Sequence, residues 1–104
     1  MRKKTLEQYK ELGAMFRTYK TVSVKLSVAA SNFLTKAKWQ KLQKAVDTVG
    51  SFVSELEDKM FQEHPELTDE YVDVFYGATT NEPRNELDAE MVDRAKKFCN
   101  SLFE

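Results

Sequence analysis

The sequence is poor in cysteine, glycine and proline, and each shortage excludes a class of structure. Its single cysteine, Cys99, has no partner for an internal disulfide and rules out a multi-thiolate metal site. Three glycines and two prolines among 104 residues are too few for a turn-rich β fold or a fibrous repeat. Because 41% of the residues are hydrophobic, the chain can bury a core. We therefore predict a single helical domain spanning residues 1–104.

Long apolar runs are also missing. The basic start, Met1 to Lys4, is not followed by the apolar core of a signal peptide. No run approaches the roughly 18 consecutive apolar residues that a membrane span requires. A cytoplasmic location without a membrane partner is expected.

Carboxylates are absent from a long stretch of the first half, because none occurs between Leu12 and Val46. Residues 1–46 carry eleven basic and two acidic side chains, whereas residues 47–104 carry five basic and fifteen acidic ones. The net charge of −1 thus conceals a strongly bipolar chain. Either the acidic half folds back over the basic half, or a partner neutralises the basic half.

The clearest structural signal lies between Thr35 and Gln62. Seven apolar residues recur there at alternating steps of three and four, which predicts a long amphipathic helix. These residues are Trp39, Leu42, Val46, Val49, Val53, Leu56 and Met60. Pro65 should end the helix, because proline disfavours helical geometry in the residue before it.

A first long helix is predicted from Thr5 to about Phe33, with Thr5 and Gln8 forming a capping box. Within it, Val22 to Val28 alternates strictly between apolar and polar residues, which is typical of a half-buried strand. The alternative strand would need the segment Tyr71 to Tyr76 as its partner. We favour the helix, because the pattern on either side is helical.

The second half predicts two shorter helices. One follows Thr68 and stops near Gly77, and the other is capped by Asn85 and buries a stripe that begins at Leu87. The predicted fold is all-α: a small antiparallel helical bundle of three or four helices, two long helices followed by two shorter ones.

Residues suited to nucleophilic catalysis are scarce. The one histidine, His64, is interpreted as an exposed capping residue at a helix end. Cys99 lies on the shoulder of an apolar helix face, where a small buried thiol is expected. No Gly-x-Ser-x-Gly motif is present. The sequence thus favours a non-enzymatic protein and identifies no catalytic residue, cofactor, metal ligand or small-molecule substrate.

Basic residues of the first half form a candidate binding surface for nucleic acid or an acidic partner. Lys3, Lys10 and Arg17 are seven residues apart and make one stripe on the first helix, flanked by Lys20 and Lys25. Clustered cations suffice for phosphate contacts. The candidate residues are Arg17, Lys20, Lys36, Lys38, Lys41 and Lys44.

Acidic residues of the second half form a candidate face for a basic protein. Four of them follow i, i+3, i+4 and i+7 spacing, which would place them on one side of a helix. They are Glu66, Asp69, Glu70 and Asp73.

Two acidic pairs, Glu63/Glu66 and Glu90/Asp93, are similar to the ExxE…ExxD pattern of all-α nucleotide pyrophosphohydrolases. That resemblance implies a magnesium-dependent nucleotide hydrolase as one alternative, although Pro65 interrupts the first pair.

The function we favour is that of a small intracellular regulatory or interaction protein. It would act through a helix face, by contact with another protein or by forming a homodimer. Nucleic-acid binding by the basic half and magnesium-dependent hydrolysis are the alternatives.

Overall fold

The computed structural model describes residues 3–76 and 83–102 and contains four helices in those ranges. They are α1 (Leu6–Ala30), α2 (Lys36–Glu63), a short 3₁₀ helix (Asp69–Val74) and α3 (Glu86–Ser101). No strand occurs within the described ranges, and Val22 to Val28 lies inside α1. The all-α prediction and the helical interpretation of that segment are both confirmed.

The helix starts follow the capping signals of the sequence. The Thr5 hydroxyl accepts from the Gln8 amide at 3.1 Å, and the Gln8 side chain accepts from the Thr5 amide at 2.8 Å. Thr35 caps α2, and the Asn85 side chain accepts from the Asp88 amide at 2.8 Å in α3. Each cap satisfies an amide that has no partner within its own helix, so the helix starts are fixed locally.

The two long helices run antiparallel along their whole length. At one end, the Lys4 amide donates to the Glu63 carboxylate at 2.8 Å. At the other end, Trp39 Nε1 donates to the Ser27 carbonyl at 2.9 Å. The pair spans the long dimension of the molecule, whose extents are 47 × 28 × 27 Å.

Helix α3 crosses α1 instead of running beside it. Asp88 and Ala95 lie two turns apart on α3, yet they contact Arg17 and Thr18, which are adjacent on α1. The contacts of α3 on α1 therefore fall on the first half of α1 and leave its last turns uncovered.

The core lies where α3 and the 3₁₀ helix pack against α1 and the C-terminal half of α2. Its buried residues are Tyr9, Ala14, Val53, Met60, Val74, Phe75, Leu87, Met91 and Ala95. Gly13 belongs to the same packing, because a Cβ there would collide with the Val74 carbonyl. The close approach of the 3₁₀ helix to α1 thus requires glycine at this position.

The third predicted helix differs from expectation. It is a 3₁₀ helix of six residues, and Asp73, Val74 and the C-cap Phe75 are buried in succession, a pattern without α-helical period. Asp73 is buried because Arg84 and the Asn85 side chain donate to its carboxylate. The predicted stop at Gly77 lies outside the described residues.

Candidate functional site

The candidate site is the end of the α1–α2 pair that the core does not reach. We call residues 20–50 the distal hairpin: the last turns of α1, the turn at residues 31–35 and the first half of α2. Its only buried residue is Ser23, and no apolar residue in it is buried. Large apolar side chains are instead exposed, among them Val28 at 67% and Phe33 at 87%. Such a concentration of apolar surface is typical of an interaction site.

The alternating segment Val22 to Val28 explains much of this exposure. In a helix, Val22 and Leu26 share one face, while Val24 and Val28 share another, because residues four apart lie one above the other. All four side chains are more than half exposed. The alternation that resembles a strand is thus a helix segment with two apolar faces, only one of which can meet α2.

An open groove follows the seam between α1 and α2 on the side of the 3₁₀ helix. It consists of two depressions of about 450 and 370 Å³, which share Ser23, Val24, Val46 and Asp47. We call this the seam groove. Its other lining residues are Phe16, Tyr19, Lys20, Ser27, Val28, Ser31, Trp39, Gln43, Gly50, Val53, Phe75 and Tyr76.

Two features hold the seam groove open. The Trp39 indole is fixed against α1 by its hydrogen bond to the Ser27 carbonyl, so its ring forms a wall of the groove. Gly50 adds no side chain, and nothing lies within 4 Å of the place where its Cβ would stand. The proximal end is closed where the Ser54 and Tyr76 hydroxyls meet at 3.1 Å.

The distal hairpin is strongly basic. Six exposed lysines and one carboxylate, Asp47, occur in it. The lysines are Lys20, Lys25, Lys36, Lys38, Lys41 and Lys44, and none of them forms an ion pair with any part of the chain that the structure describes. Four of them occupy the first turns of α2, where the helix dipole disfavours cations. An external anionic group would relieve this arrangement.

Arg17 does not belong to the exposed basic surface, in contrast to the prediction. Its side chain is buried at 0% exposure, and Nη1 donates to the Asp73 carbonyl at 2.8 Å. Nη2 donates to the Asp88 carboxylate at 2.6 Å. Lys10 is likewise buried and pairs with Glu90 at 2.9 Å. The predicted stripe on the first helix is therefore partly turned into the core.

The acidic half covers only the proximal part of the basic half. Glu90 and Asp88 neutralise Lys10 and Arg17, while Arg94 of α3 pairs in return with Glu7 and Glu11 of α1. Burial raises the pKa values of Asp88 and Glu90, but the hydrogen bonds from Arg17 and Lys10 outweigh it, and both pKa values are lowered. Because α3 does not reach the distal hairpin, the lysines there keep their charge unpaired.

The predicted acidic face does not form. Glu66 lies in the turn after α2, Asp69 and Glu70 are exposed on the 3₁₀ helix, and Asp73 is buried beneath Arg84. The 3₁₀ geometry replaces the α-helical spacing that would have aligned the four side chains. Only Asp69 and Glu70 remain as neighbouring exposed carboxylates on the 3₁₀ helix.

The two acidic pairs are occupied by internal contacts. Glu63 accepts from the Tyr9 hydroxyl at 2.7 Å and from the Lys4 amide at 2.8 Å, and these two hydrogen bonds lower the pKa of Glu63. Glu90 and Asp93 pair with cations of the chain. No cluster of three or more His, Cys, Asp or Glu able to hold a metal ion occurs among residues 3–76 and 83–102.

His64 and Cys99 also differ from expectation. His64 caps α2 but is half-buried, because its Nε2–H donates to the Lys4 carbonyl at 2.7 Å and its ring meets Tyr9 edge-on. Cys99 is exposed instead of buried. The shoulder of the apolar stripe of α3 therefore faces solvent at this position.

The groove residues Ser23, Val24 and Val28 escape prediction from the sequence. The sequence feature that could have identified them is the apolar alternation of Val22 to Val28, because it places valines outside the main apolar stripe of α1. Helical spacing predicts an apolar stripe, but it does not predict which part of the stripe α3 covers.

Comparison with known proteins yields no match: no family model, no curated protein and no solved structure is similar to the chain. None of the helices within the described ranges is long and apolar enough to cross a membrane.

Proposed function

We propose that the protein is a small non-enzymatic interaction protein whose working surface is the distal hairpin. The supporting observation is that the apolar stripes of α1 and α2 continue beyond the core without cover. Removing apolar area from water is favourable by roughly 25 cal/mol per Å², and this gain offsets the entropic cost of forming a complex. The partner is a second protein or a second copy of the chain.

Site-specific photo-crosslinking tests this function. A photoreactive amino acid at Val28, in the seam groove, should give one discrete adduct in cells that naturally express the chain. The same group at Lys96, exposed on α3, is the matched control and should give no such adduct. Mass spectrometry of the adduct distinguishes a second copy from a different protein.

A further variant connects the adduct to the groove. Val24→Ser removes a half-exposed apolar group from the groove without adding charge. It should abolish the adduct at position 28 while circular dichroism shows unchanged helix content. Absence of the adduct in the parent protein, or equal adducts at positions 28 and 96, would contradict the proposed function.

Nucleic-acid binding is a second candidate function, favoured by the exposed lysines without ion pairs. With Arg17 buried, the surface would consist of Lys20, Lys36, Lys38, Lys41 and Lys44, together with Lys25. Binding would depend steeply on salt, because each neutralised phosphate releases a counterion.

Fluorescence anisotropy of labelled single- and double-stranded DNA and RNA, over a salt series, tests the second candidate. Lys41→Glu with Lys44→Glu should weaken binding and flatten its salt dependence while helix content is retained. Lys96→Glu with Lys97→Glu makes the same change of charge on α3 and should leave binding largely intact. No binding at low salt, or equal loss in both variants, would exclude this basic site.

A further inference from the structure

The seam groove has the dimensions of a helix-binding site. It follows α1 from Phe16 to Ser31, which is about 22 Å at 1.5 Å per residue, and so accommodates a helix of about 15 residues. In helical bundles a third helix packs against the seam of two others. Here α3 and the 3₁₀ helix cover the proximal half of α1, and the distal seam is left without a third helix.

The lining of the groove defines the chemistry of its occupant. Val24, Val28, Trp39 and Val46 form an apolar lining that a stripe of apolar side chains would cover. Lys20 lies in the groove wall, exposed and without an ion pair in the described part of the chain. A complementary helix therefore has an apolar stripe flanked by at least one carboxylate.

The rim of the groove is basic as well. Helical periodicity places Lys36 on the same face of α2 as Gln43 and Asp47, which line the groove, because they follow it by seven and eleven residues. Lys25 follows Val24 and lies three residues before Val28, at the α1 edge. Against these lysines stands one carboxylate, Asp47, so the field at the groove favours an anionic partner.

A second copy of the chain fits this groove poorly. Two distal hairpins in contact would bring their lysines together, which like-charge repulsion opposes. In the rest of the described chain, the exposed large apolar residues belong to four different elements or faces and make no stripe. They are Met15, Phe52, Val72 and Leu102.

We propose that the seam groove binds an acidic amphipathic helix of a partner protein. This inference rests on the proposed function and specifies the class of partner. The partner helix buries its apolar stripe on Val24, Val28 and Trp39, and its carboxylates pair with Lys20 and Lys36. Trp39 is the only tryptophan, so its fluorescence reports occupation of the groove.

Three synthetic peptides without tryptophan test the inference on the 104-residue chain. Each has about 15 residues and the same leucine stripe, and the flanking positions are Glu, Gln or Lys. The Glu peptide should change Trp39 fluorescence saturably and bind about tenfold more tightly than the Lys peptide, because two favourable charge pairs replace two unfavourable ones. Added salt should reduce that preference.

Variants of the chain locate the bound peptide. Lys20→Glu with Lys36→Glu should reverse the preference, so that the Lys peptide binds best. Lys96→Glu with Lys97→Glu makes the same change of charge on α3, is the matched control, and should not reverse the preference. Val24→Ser with Val28→Ser should weaken binding of all three peptides, whereas Val72→Ser with Leu102→Ser, which removes two exposed apolar side chains elsewhere, should not.

The outcomes separate this inference from the proposed function. If the crosslinking at position 28 succeeds but no peptide binds, or the peptides bind without regard to charge, the interaction site stands and the acidic helix is excluded. If the Glu peptide still binds after Lys20→Glu with Lys36→Glu, the peptide binds at another site, and the inference is overturned as well. If the protein binds nucleic acid through these lysines and binds none of the peptides, the groove rim is a phosphate-binding surface. The acidic helix is then excluded.

Discussion

Arg17 and Asp88 form an ion pair inside the core, with Nη2 2.6 Å from Oδ1 and both side chains almost inaccessible to solvent. The pair joins α1 to the first turn of α3 across 71 positions of sequence. Because the Asp88 carboxylate also accepts from the Arg84 amide at 2.9 Å, it fixes the segment that leads into α3 as well. This pair therefore fixes the first turn of α3 against α1, next to the place where the distal hairpin begins.

Removing one partner of this pair should be strongly destabilising. Arg17→Met keeps most of the buried stem but leaves the Asp88 charge uncompensated, which should cost about 3–5 kcal/mol. Urea unfolding followed by Trp39 fluorescence measures the change. Lys25→Met also replaces a cation of α1 by methionine, but at an exposed position, and should stay within about 0.5 kcal/mol.

A double-mutant cycle with Asp88→Asn strengthens the result. The double variant should lose less stability than the two single variants together, because the second change removes a charge that the first left unpaired. Strict additivity, or a loss below about 1 kcal/mol for Arg17→Met, would show that the pair does not organise the core.

The helices could be predicted from the sequence, since the caps and the apolar spacing that define them are local features. The capping box at Thr5, the cap at Asn85 and the spacing around Val53 each depend on residues within a few positions of one another. The 3₁₀ helix was predicted as an α-helix. Its Asp73 is paired with Arg84, which lies in a separate segment, and such a contact leaves no local signal in the sequence.

The candidate site could be predicted only in part. The sequence left open whether the acidic half covers the basic half, and Lys36 and Lys41 are exposed without an ion pair in the described part of the chain. Arg17 continues the seven-residue spacing of Lys3 and Lys10, which is typical of an exposed basic stripe. Its burial depends on the ion pair with Asp88, which the sequence does not reveal. The seam groove could not be predicted, because it results from where α3 stops covering α1.

Acid should destabilise the protein through Asp88 and Glu90. Burial opposes ionisation of both groups, but their hydrogen bonds from cations lower both pKa values below the usual 3.8 and 4.5. A lowered folded-state pKa contributes stability that is present above the unfolded value and is lost as the pH falls through the folded value. The free energy of unfolding should therefore decline as the pH falls below about 4.5.

Two variants check the origin of that decline. Asp88→Asn should make the acid limb shallower, although the variant is less stable at neutral pH. Glu57→Gln should make it steeper, because burial and then the charge of Asp58 raise the pKa of Glu57, so its protonation favours the folded state. Urea unfolding over a pH series gives both slopes. An acid limb that is unchanged by Asp88→Asn contradicts the assignment.

The glycines of the two long helices should respond oppositely to alanine. Gly13→Ala places a Cβ against the Val74 carbonyl and should destabilise by about 1–3 kcal/mol, as overpacking does. Gly50→Ala meets only open space and should stabilise α2 by up to about 1 kcal/mol through helix propensity. Thermal melting measures both variants. Shifts of the same sign would mean that the 3₁₀ helix does not approach α1 at Gly13.

Alkaline pH should destabilise the protein through Tyr9. Burial, followed by the hydrogen bond to Glu63, raises the pKa of the Tyr9 hydroxyl to about 12. Because the folded-state pKa lies above the unfolded value, the stability is present below about pH 10 and is lost as the pH rises through the folded pKa. Tyr9→Phe should lower stability at neutral pH, since it removes the hydrogen bond from the buried tyrosine to the Glu63 carboxylate.

The alkaline limb of the stability profile separates this contact from a general effect of tyrosine ionisation. Tyr9→Phe should flatten that limb, whereas Tyr19→Phe removes a hydroxyl outside the contact with Glu63 and should leave the limb unchanged. Urea unfolding at increasing pH measures stability, and tyrosinate absorbance of the folded protein follows ionisation directly. If the limb is equally steep in the parent and in Tyr9→Phe, the hydrogen bond to Glu63 does not hold the Tyr9 proton. The junction between the start of α1 and the end of α2 would then depend on the Lys4 amide and His64 alone.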